Sequence, residues 1–325
     1  MNRRELLVAI AGGLILAPAP GSAQQSGRVP VVGMLITHPP VTDPVVGYLR
    51  KGLREFGYED GRTVKFEVRT ALGQLDRVSA LAEELVRLPV DVIVVVNEIA
   101  LRATQQATGT IPIVTVGYTN DPVSSGWIES YRRPGGNITG IYNVNSELIA
   151  KRLEILKETL PKVSRVAVLW DPVFGERQLA DLQQPAVELG IHLIPIAVRS
   201  QENLDDAIRE AKAKKAGAVL LIWSPLFYIQ RARIAALALK VALPTVSDLD
   251  VATQAGSLMS YGSDSSIPFQ RAAYYVDRLL KGASASDLPV EQISKLILAV
   301  NLKTAKALGI VFPQSILVRA DEVIK

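Results

Sequence analysis

The sequence predicts an α/β fold of two doubly wound lobes, each built on a largely parallel sheet. Three observations predict it: short β-branched runs recur after turn residues, each is followed by a stretch of helical period, and the series occurs twice along the 325 residues. In the first series, residues 29–36, 63–68, 91–96, 111–116 and 138–142 read as strands. Their near-continuous valine is what a sheet covered on both faces requires. Between them, one amphipathic helix carries Val46, Leu49, Leu53 and Phe56 and stops at Gly57. The next places Val78, Leu81, Ala82 and Leu85 on one face.

The second series opens with a helix bearing Ile149, Leu153, Leu156 and Leu160. Strands follow at residues 166–170, 192–198, 218–223 and around 245–246. Residues 258–261 add a strand, 268–280 a helix, and 288–300 an extended stretch leading into a helix over 302–308. No segment is rich enough in Gly, Ser and Pro to be a long linker, so short crossings should tie the lobes.

Residues 1–23 read as an export signal: Arg3 and Arg4, an apolar run over residues 6–17 and the small-residue exit Gly21-Ser22-Ala23. The run falls short of the ~20 residues a helix needs to span a bilayer, and polar Gln24-Gln25-Ser26 follows, which favours cleavage after Ala23 over a retained anchor. The general secretory and twin-arginine routes both stay open. The chain has no cysteine, which excludes disulfides, a thiol nucleophile, cysteine-ligated zinc and lipidation at an N-terminal cysteine. A free periplasmic protein is the expectation. What remains after the leader is long enough for two lobes of roughly 150 residues each. A formal charge of +4 is too small to imply nucleic acid as a partner.

Four strand exits share one punctuation: Asp43-Pro44, Asp121-Pro122, Asp171-Pro172 and Ser224-Pro225. In each, a short oxygen-bearing side chain can cap the free amides of a following helix, and proline fits the first helical position because its missing donor had no partner there. Several helix N-termini would then face the carboxyl edge of each sheet, where ligands of open α/β sheets bind and where positive dipole ends favour carboxylate. Aromatic residues gather at the same exits, namely Tyr118, Trp170, Trp223 and Tyr261, and can form flat walls for a ligand. Polar neighbours are Thr37, His38, Asn97, Glu98, Thr119, Asn120, Ser224, Ser247 and Asp248, with Asp171. The group has the composition of a ligand cleft rather than a reaction centre.

Enzyme signatures fail. No G-x-G-x-x-G follows a strand, and no G-x-S-x-G elbow or H-E-x-x-H helix occurs. The nearest phosphate loop, Gly47 to Gly52, has Leu53 in place of lysine and lies inside a helix pattern. The two histidines, His38 and His192, offer neither a metal pair nor a triad with a nucleophile in place. The expectation is no enzyme, no cofactor and no metal.

The chain resembles the ABC transporter substrate-binding protein family related to tryptophan and tyrosine uptake. The resemblance is carried in order by residues 52–58 (GLREFGY), 111–114 (IPIV), Asp121-Pro122, 133–140 (RPGGNITG), 231–235 (RARIA), 258–262 (LMSYG) and 301–309 (NLKTAKALG). It implies a type I periplasmic-binding-protein fold, in which two lobes joined by a hinge close on a small ligand in an interlobe cleft and dock on a membrane permease as a monomer. It also implies residues 29–142 plus about 258–286 in one lobe and 143–257 plus about 287–325 in the other. By the same analogy, a ligand carboxylate would meet helix N-termini and hydroxyls near Thr37, Asn97 and Thr119. Asp171 or Asp248 would pair an ammonium, and Trp223 or Tyr261 would stack a side chain. The sequence departs from common members at Asn97-Glu98, Trp170 and Trp223, where larger groups narrow the cleft. A periplasmic ligand-sensing adaptor for a membrane receptor would share this fold completely, and a secreted α/β enzyme would need a base and nucleophile in mutual reach.

Overall fold

The computed structural model describes residues 28–37, 44–117, 121–142, 145–264, 266–292 and 295–325. The expected leader lies outside them. Two sheets organise the chain. The first contains β1 (Val31–Ile36), β2 (Lys65–Thr70), β3 (Val92–Val95), β4 (Ile113–Val116), β5 (Ile138–Tyr142) and β11 (Glu291–Gln292), all parallel, in the order β11-β5-β4-β3-β1-β2. Alternation along β1 sends Val32, Met34 and Ile36 to one face and Val31 and Leu35 to the other. On the first face they meet Leu49 and Leu53 of α1 (Pro44–Glu55) and Ala272 and Val276 of α10 (Ile267–Leu280). On the second they meet Leu81 and Leu85 of α2 (Val78–Arg87) and Leu101 of α3 (Glu98–Ala107). Each fully buried leucine contributes about 1.5–3 kcal/mol relative to exposure, so the valine runs follow from two apolar faces on one sheet.

The second sheet runs β13-β12-β10-β9-β8-β6-β7 and is parallel except where β10 meets β12. Its strands are β6 (Arg165–Trp170), β7 (His192–Ala197), β8 (Ala218–Leu221), β9 (Thr245–Ser247), β10 (Met259–Ser263), β12 (Leu296–Asn301) and β13 (Glu322–Ile324). Val166 and Val168 pack with Leu153 and Leu156 of α4 (Asn145–Thr159), while Ala167 and Leu169 pack with Leu204 and Ile208 of α7 (Leu204–Ala213) and Ile234 of α8 (Pro225–Lys240).

The lobe boundary differs from the expectation at both edges. The strand expected to return the chain to the first lobe at about residue 258 is β10, which pairs with β9 and, antiparallel, with β12 in the second sheet. The return comes after Ser263, where α10 packs on α1. The extended stretch after Leu288 divides between lobes: Glu291 and Gln292 pair with β5, whereas Leu296 to Asn301 pair with β10. Three crossings therefore join the lobes, after β5, β10 and β11.

Two glycines are fixed by close approach. A Cβ on Gly52 would stand 2.8 Å from Cβ of Ala273, which sets the α1–α10 spacing. A Cβ on Gly262 would stand 2.0 Å from the Asp248 carbonyl oxygen, so β10 can pass beside that strand exit only as glycine. Among the described residues, no helix is long and apolar enough to cross a membrane.

Candidate functional site

The carboxyl ends of β1 and β3 place Thr37 and Asn97 side by side, because those strands are hydrogen-bonded neighbours. Asn97 leaves the strand in extended conformation, and its Oδ1 accepts from the Ala100 amide at 3.0 Å, capping α3. Its Nδ2 donates to Thr37 Oγ1 at 2.7 Å, and both side chains are buried, with 3% and 1% exposed. The amide thus serves as helix cap and inter-strand tie at once. The first turn of α3, opened by Glu98, points its positive end into the space between the lobes.

Across that space, the exit of β6 is a tight turn. Asp171 Oδ1 accepts from the Val173 amide at 2.9 Å, and its carbonyl accepts from the amides of Phe174 at 3.0 Å and Gly175 at 2.7 Å. Burial raises the Asp171 pKa, opposed by the Val173 amide, the Ser224 hydroxyl and the charge of Arg199. The turn brings Phe174 against Trp223 in a T-shaped pair, with ring centroids 5.7 Å apart and planes at 89°. Ser224 then caps α8, its Oγ accepting from the Phe227 amide at 3.2 Å with Pro225 in the first turn. Gln178, on the short helix α5 (Glu176–Asp181), donates Nε2 to the carbonyls of Phe174 at 3.1 Å and Trp223 at 3.4 Å.

These elements enclose a cavity of about 400 Å³, lined by Asn97, Glu98 and Gly117 from the first lobe and Phe174, Gln178 and Trp223 among residues of the second. That volume suits a small organic ligand. Of the residues singled out from sequence, Asn97, Glu98 and Trp223 line it, Thr37 braces Asn97 from beneath, and Asp171 and Ser224 hold the opposite wall. Trp170 is directed elsewhere: it packs on the core of the second sheet with Leu179 and Leu193.

Asp248 and Tyr261 form a separate cluster around Arg152, whose Nε donates to the Tyr261 carbonyl at 2.7 Å. Arg152 is 1% exposed and Asp248 is buried. Burial raises the Asp248 carboxyl, and the Arg152 charge is the chief opposing influence. His38, Tyr118, Thr119 and Asn120 lie outside the described residues.

The shared strand-exit punctuation also divides. Ser224-Pro225 is a helix cap and Pro44 opens α1, but Asp121 closes a turn, accepting from the Val123 amide and the Tyr131 hydroxyl. Asp171-Pro172 likewise makes a turn, and α5 begins four residues later at Glu176. The sequence reasoning did not single out Phe174, Gln178 or Arg152. Phe174 lies within three residues of an Asp-Pro pair and was within reach of that signal.

A family model described as ABC transporter substrate binding protein matches residues 29–324. A tyrosine-binding protein of Clostridioides difficile (strain R20291) is 24% identical over 282 residues, covering 85% of this chain and 79% of that relative. Among solved structures, a conserved domain protein from Vibrio cholerae superposes with a TM-score of 0.82 at 24% identity, over 91% of this chain and 100% of that one. The ABC domain in complex with L-Trp from Streptococcus pneumoniae gives 0.81 at 23% identity, over 91% of this chain and 100% of that one. Both likenesses show the fold.

Proposed function

Because the chain belongs to the ABC transporter substrate binding protein family, and so binds a small solute for delivery to a membrane permease, we propose that its solute is an aromatic amino acid held between the two lobes. The observation that carries this reading is the cavity of about 400 Å³, with the Phe174–Trp223 pair on one wall and the Asn97-capped start of α3 on the other. Edge and face of the aromatic pair suit a flat side chain, and the helix N-terminus suits a carboxylate. The names of two similar proteins, a tyrosine-binding protein and an ABC domain in complex with L-Trp, support the same class.

On this reading Thr37, Asn97, Glu98 and Trp223 serve the ligand directly or through one neighbour, Asp171 and Ser224 hold the wall, and Asp248 and Tyr261 stabilise the hinge side of the second lobe. The three crossings let the lobes close, and a ligand that touches both lobes favours the closed state by its differential contacts. No bond is made or broken. The protein acts in the periplasm as a monomer, after removal of residues 1–23.

The test is a thermal-shift and calorimetric panel on the chain from Gln24, with aromatic and aliphatic amino acids, small carboxylates, nucleosides and sugars. L-tryptophan or L-tyrosine at about 100 times its dissociation constant should add roughly 2.7 kcal/mol of stability. A shift by a sugar or nucleoside, with none by any aromatic amino acid, would overturn the ligand class.

A further inference from the structure

Residues 288–292 carry the chain through β11 to its last crossing, and each of them is held from the side. The Leu288 carbonyl accepts from the Thr139 hydroxyl of β5 at 2.8 Å, and the Pro289 carbonyl from the Tyr275 hydroxyl of α10 at 2.6 Å. The Val290 amide donates to the carbonyl of Tyr131, whose ring stacks on Tyr142 with centroids 4.9 Å apart. Arg271 of α10 donates to both oxygens of Glu291, Nε to Oε2 at 2.7 Å and Nη2 to Oε1 at 2.5 Å. The Tyr142 hydroxyl donates to Gln292 Oε1 at 3.3 Å. A strand of only two residues makes few ladder bonds of its own, so these contacts fix where it ends.

Those contacts reach the first-lobe ends of all three crossings. Tyr142 is the last residue of β5 before residues 143–144 lead to α4, and Arg271 lies in the second turn of α10, which residues 264–266 join to β10. Gln292 itself precedes residues 293–295, which lead to β12. Connections this short span at most ~3.3–3.6 Å per residue, so they pass the placement of their first-lobe ends on to the second lobe. The Arg271–Glu291 pair is a bidentate fork, its guanidinium 4.0 Å from the Tyr274 ring centroid. Its side chains are 41% and 37% exposed, and a pair that open to water adds little to global stability. What a fork supplies is direction, because two parallel bonds fix an angle as well as a distance.

We propose that Glu291 and Gln292 of β11 are positioning residues for solute binding: they tie the first-lobe ends of the three crossings into one base, and that base sets how the second lobe faces the first. Neither residue lines the cavity. They act through the crossings, which keep the start of α3 and the Phe174–Trp223 wall turned toward the same solute. Loosening the base spreads the lobes over orientations in which the two walls do not face each other, and only the aligned fraction binds. The inference holds for any solute that touches both lobes.

The chain has no cysteine, so nitroxide labels can be attached through Lys51→Cys on α1 and Lys212→Cys on α7, exposed positions in different lobes. Double electron–electron resonance on the unliganded, labelled protein then reads the distribution of interlobe distances. Glu291→Gln, which keeps the size and removes the charge of the fork, and Tyr142→Phe, which removes the hydroxyl on Gln292, should each widen that distribution. Glu83→Gln, which breaks an exposed ion pair with Arg87 in α2 of the same lobe, should not. The urea midpoint of Glu291→Gln should move little. Titration calorimetry with L-tryptophan should show binding to Glu291→Gln weakened roughly threefold, as when the competent fraction falls to a third. Distributions of Glu291→Gln and Tyr142→Phe that superimpose on the parent's would overturn the inference, as would widening with unchanged affinity or equal widening in Glu83→Gln. A parent protein that does not bind L-tryptophan would count against the proposed function, while the distance distributions would still decide this inference.

Discussion

Phe174 and Trp223 stand perpendicular in a T-shaped ring pair, at 5.7 Å and 89°, although the two residues leave different strands of the second sheet. Such a pair contributes about 0.5–1.5 kcal/mol beyond its buried area. Trp223 is half-buried and faces the cavity, so its ring does more for a ligand than for the core. Trp223→Ala should weaken binding of the aromatic amino acid at least tenfold, about 1.4 kcal/mol, while lowering the stability of the unliganded protein by only ~1 kcal/mol. Titration calorimetry beside urea denaturation of the free protein checks this. An equal stability loss with unchanged affinity would assign Trp223 to the core.

The Asn97–Thr37 tie predicts coupled losses. Asn97→Ala removes a helix cap and should cost about 0.5–2 kcal/mol. Thr37→Val leaves the buried Nδ2 of Asn97 without its acceptor and should cost about 1–3 kcal/mol. The double variant should cost clearly less than the sum, because each single change already breaks the same bond. Urea midpoints at constant slope measure all three, and strict additivity would show that the 2.7 Å contact carries no energy.

The close crossing of α1 and α10 gives a steric prediction. Gly52→Ala would put its Cβ 2.8 Å from Cβ of Ala273 and 3.1 Å from the Gln270 backbone. The helices must separate, at about 1–3 kcal/mol. Adding Ala273→Gly should recover part of the loss, since it clears the nearer contact but not the Gln270 backbone. No recovery in the melting temperature of the double variant would place the cost in helix propensity or elsewhere, not in the crossing.

What the sequence made legible follows from local chemistry. Ser224 could be read as a cap because a helix start needs a short oxygen-bearing side chain, and the structure uses it that way, whereas Asn97 was legible as a polar strand-exit residue and its capping of α3 came only with the structure. The valine runs could be read as doubly covered strands for an equally local reason. The sheet to which β10 belongs could not be read, because its partner β12 lies more than thirty residues on and its short run fits either sheet. Gln178 gave no signal either. Its role comes from two main-chain carbonyls, one of them 45 residues away, and from a cavity assembled by both lobes. Asp121 misled in the opposite sense, since Asp-Pro fits a turn as well as a cap and nothing local separates them.

Asp171 supplies a pH prediction. Burial raises its pKa in the folded protein, more than the Val173 amide, the Ser224 hydroxyl and Arg199 lower it. Unfolded, an aspartate titrates near ~3.9. Between that value and the raised one, the folded state holds the proton more tightly, so it binds more protons than the unfolded state. Stability attributable to Asp171 is therefore fully present below the unfolded value and declines as pH rises through the folded value. Asn at this position keeps an oxygen that can accept from the Val173 amide but cannot ionise. The stability of wild type minus that of Asp171→Asn should fall as pH rises from the ordinary carboxylate range, and then level off at neutral pH. Guanidinium denaturation of both proteins at intervals of half a pH unit measures the difference. A difference that instead grows with pH would mean that the Ser224 hydroxyl, the Val173 amide and Arg199 outweigh burial, and that the ionised carboxylate stabilises the turn beneath Phe174.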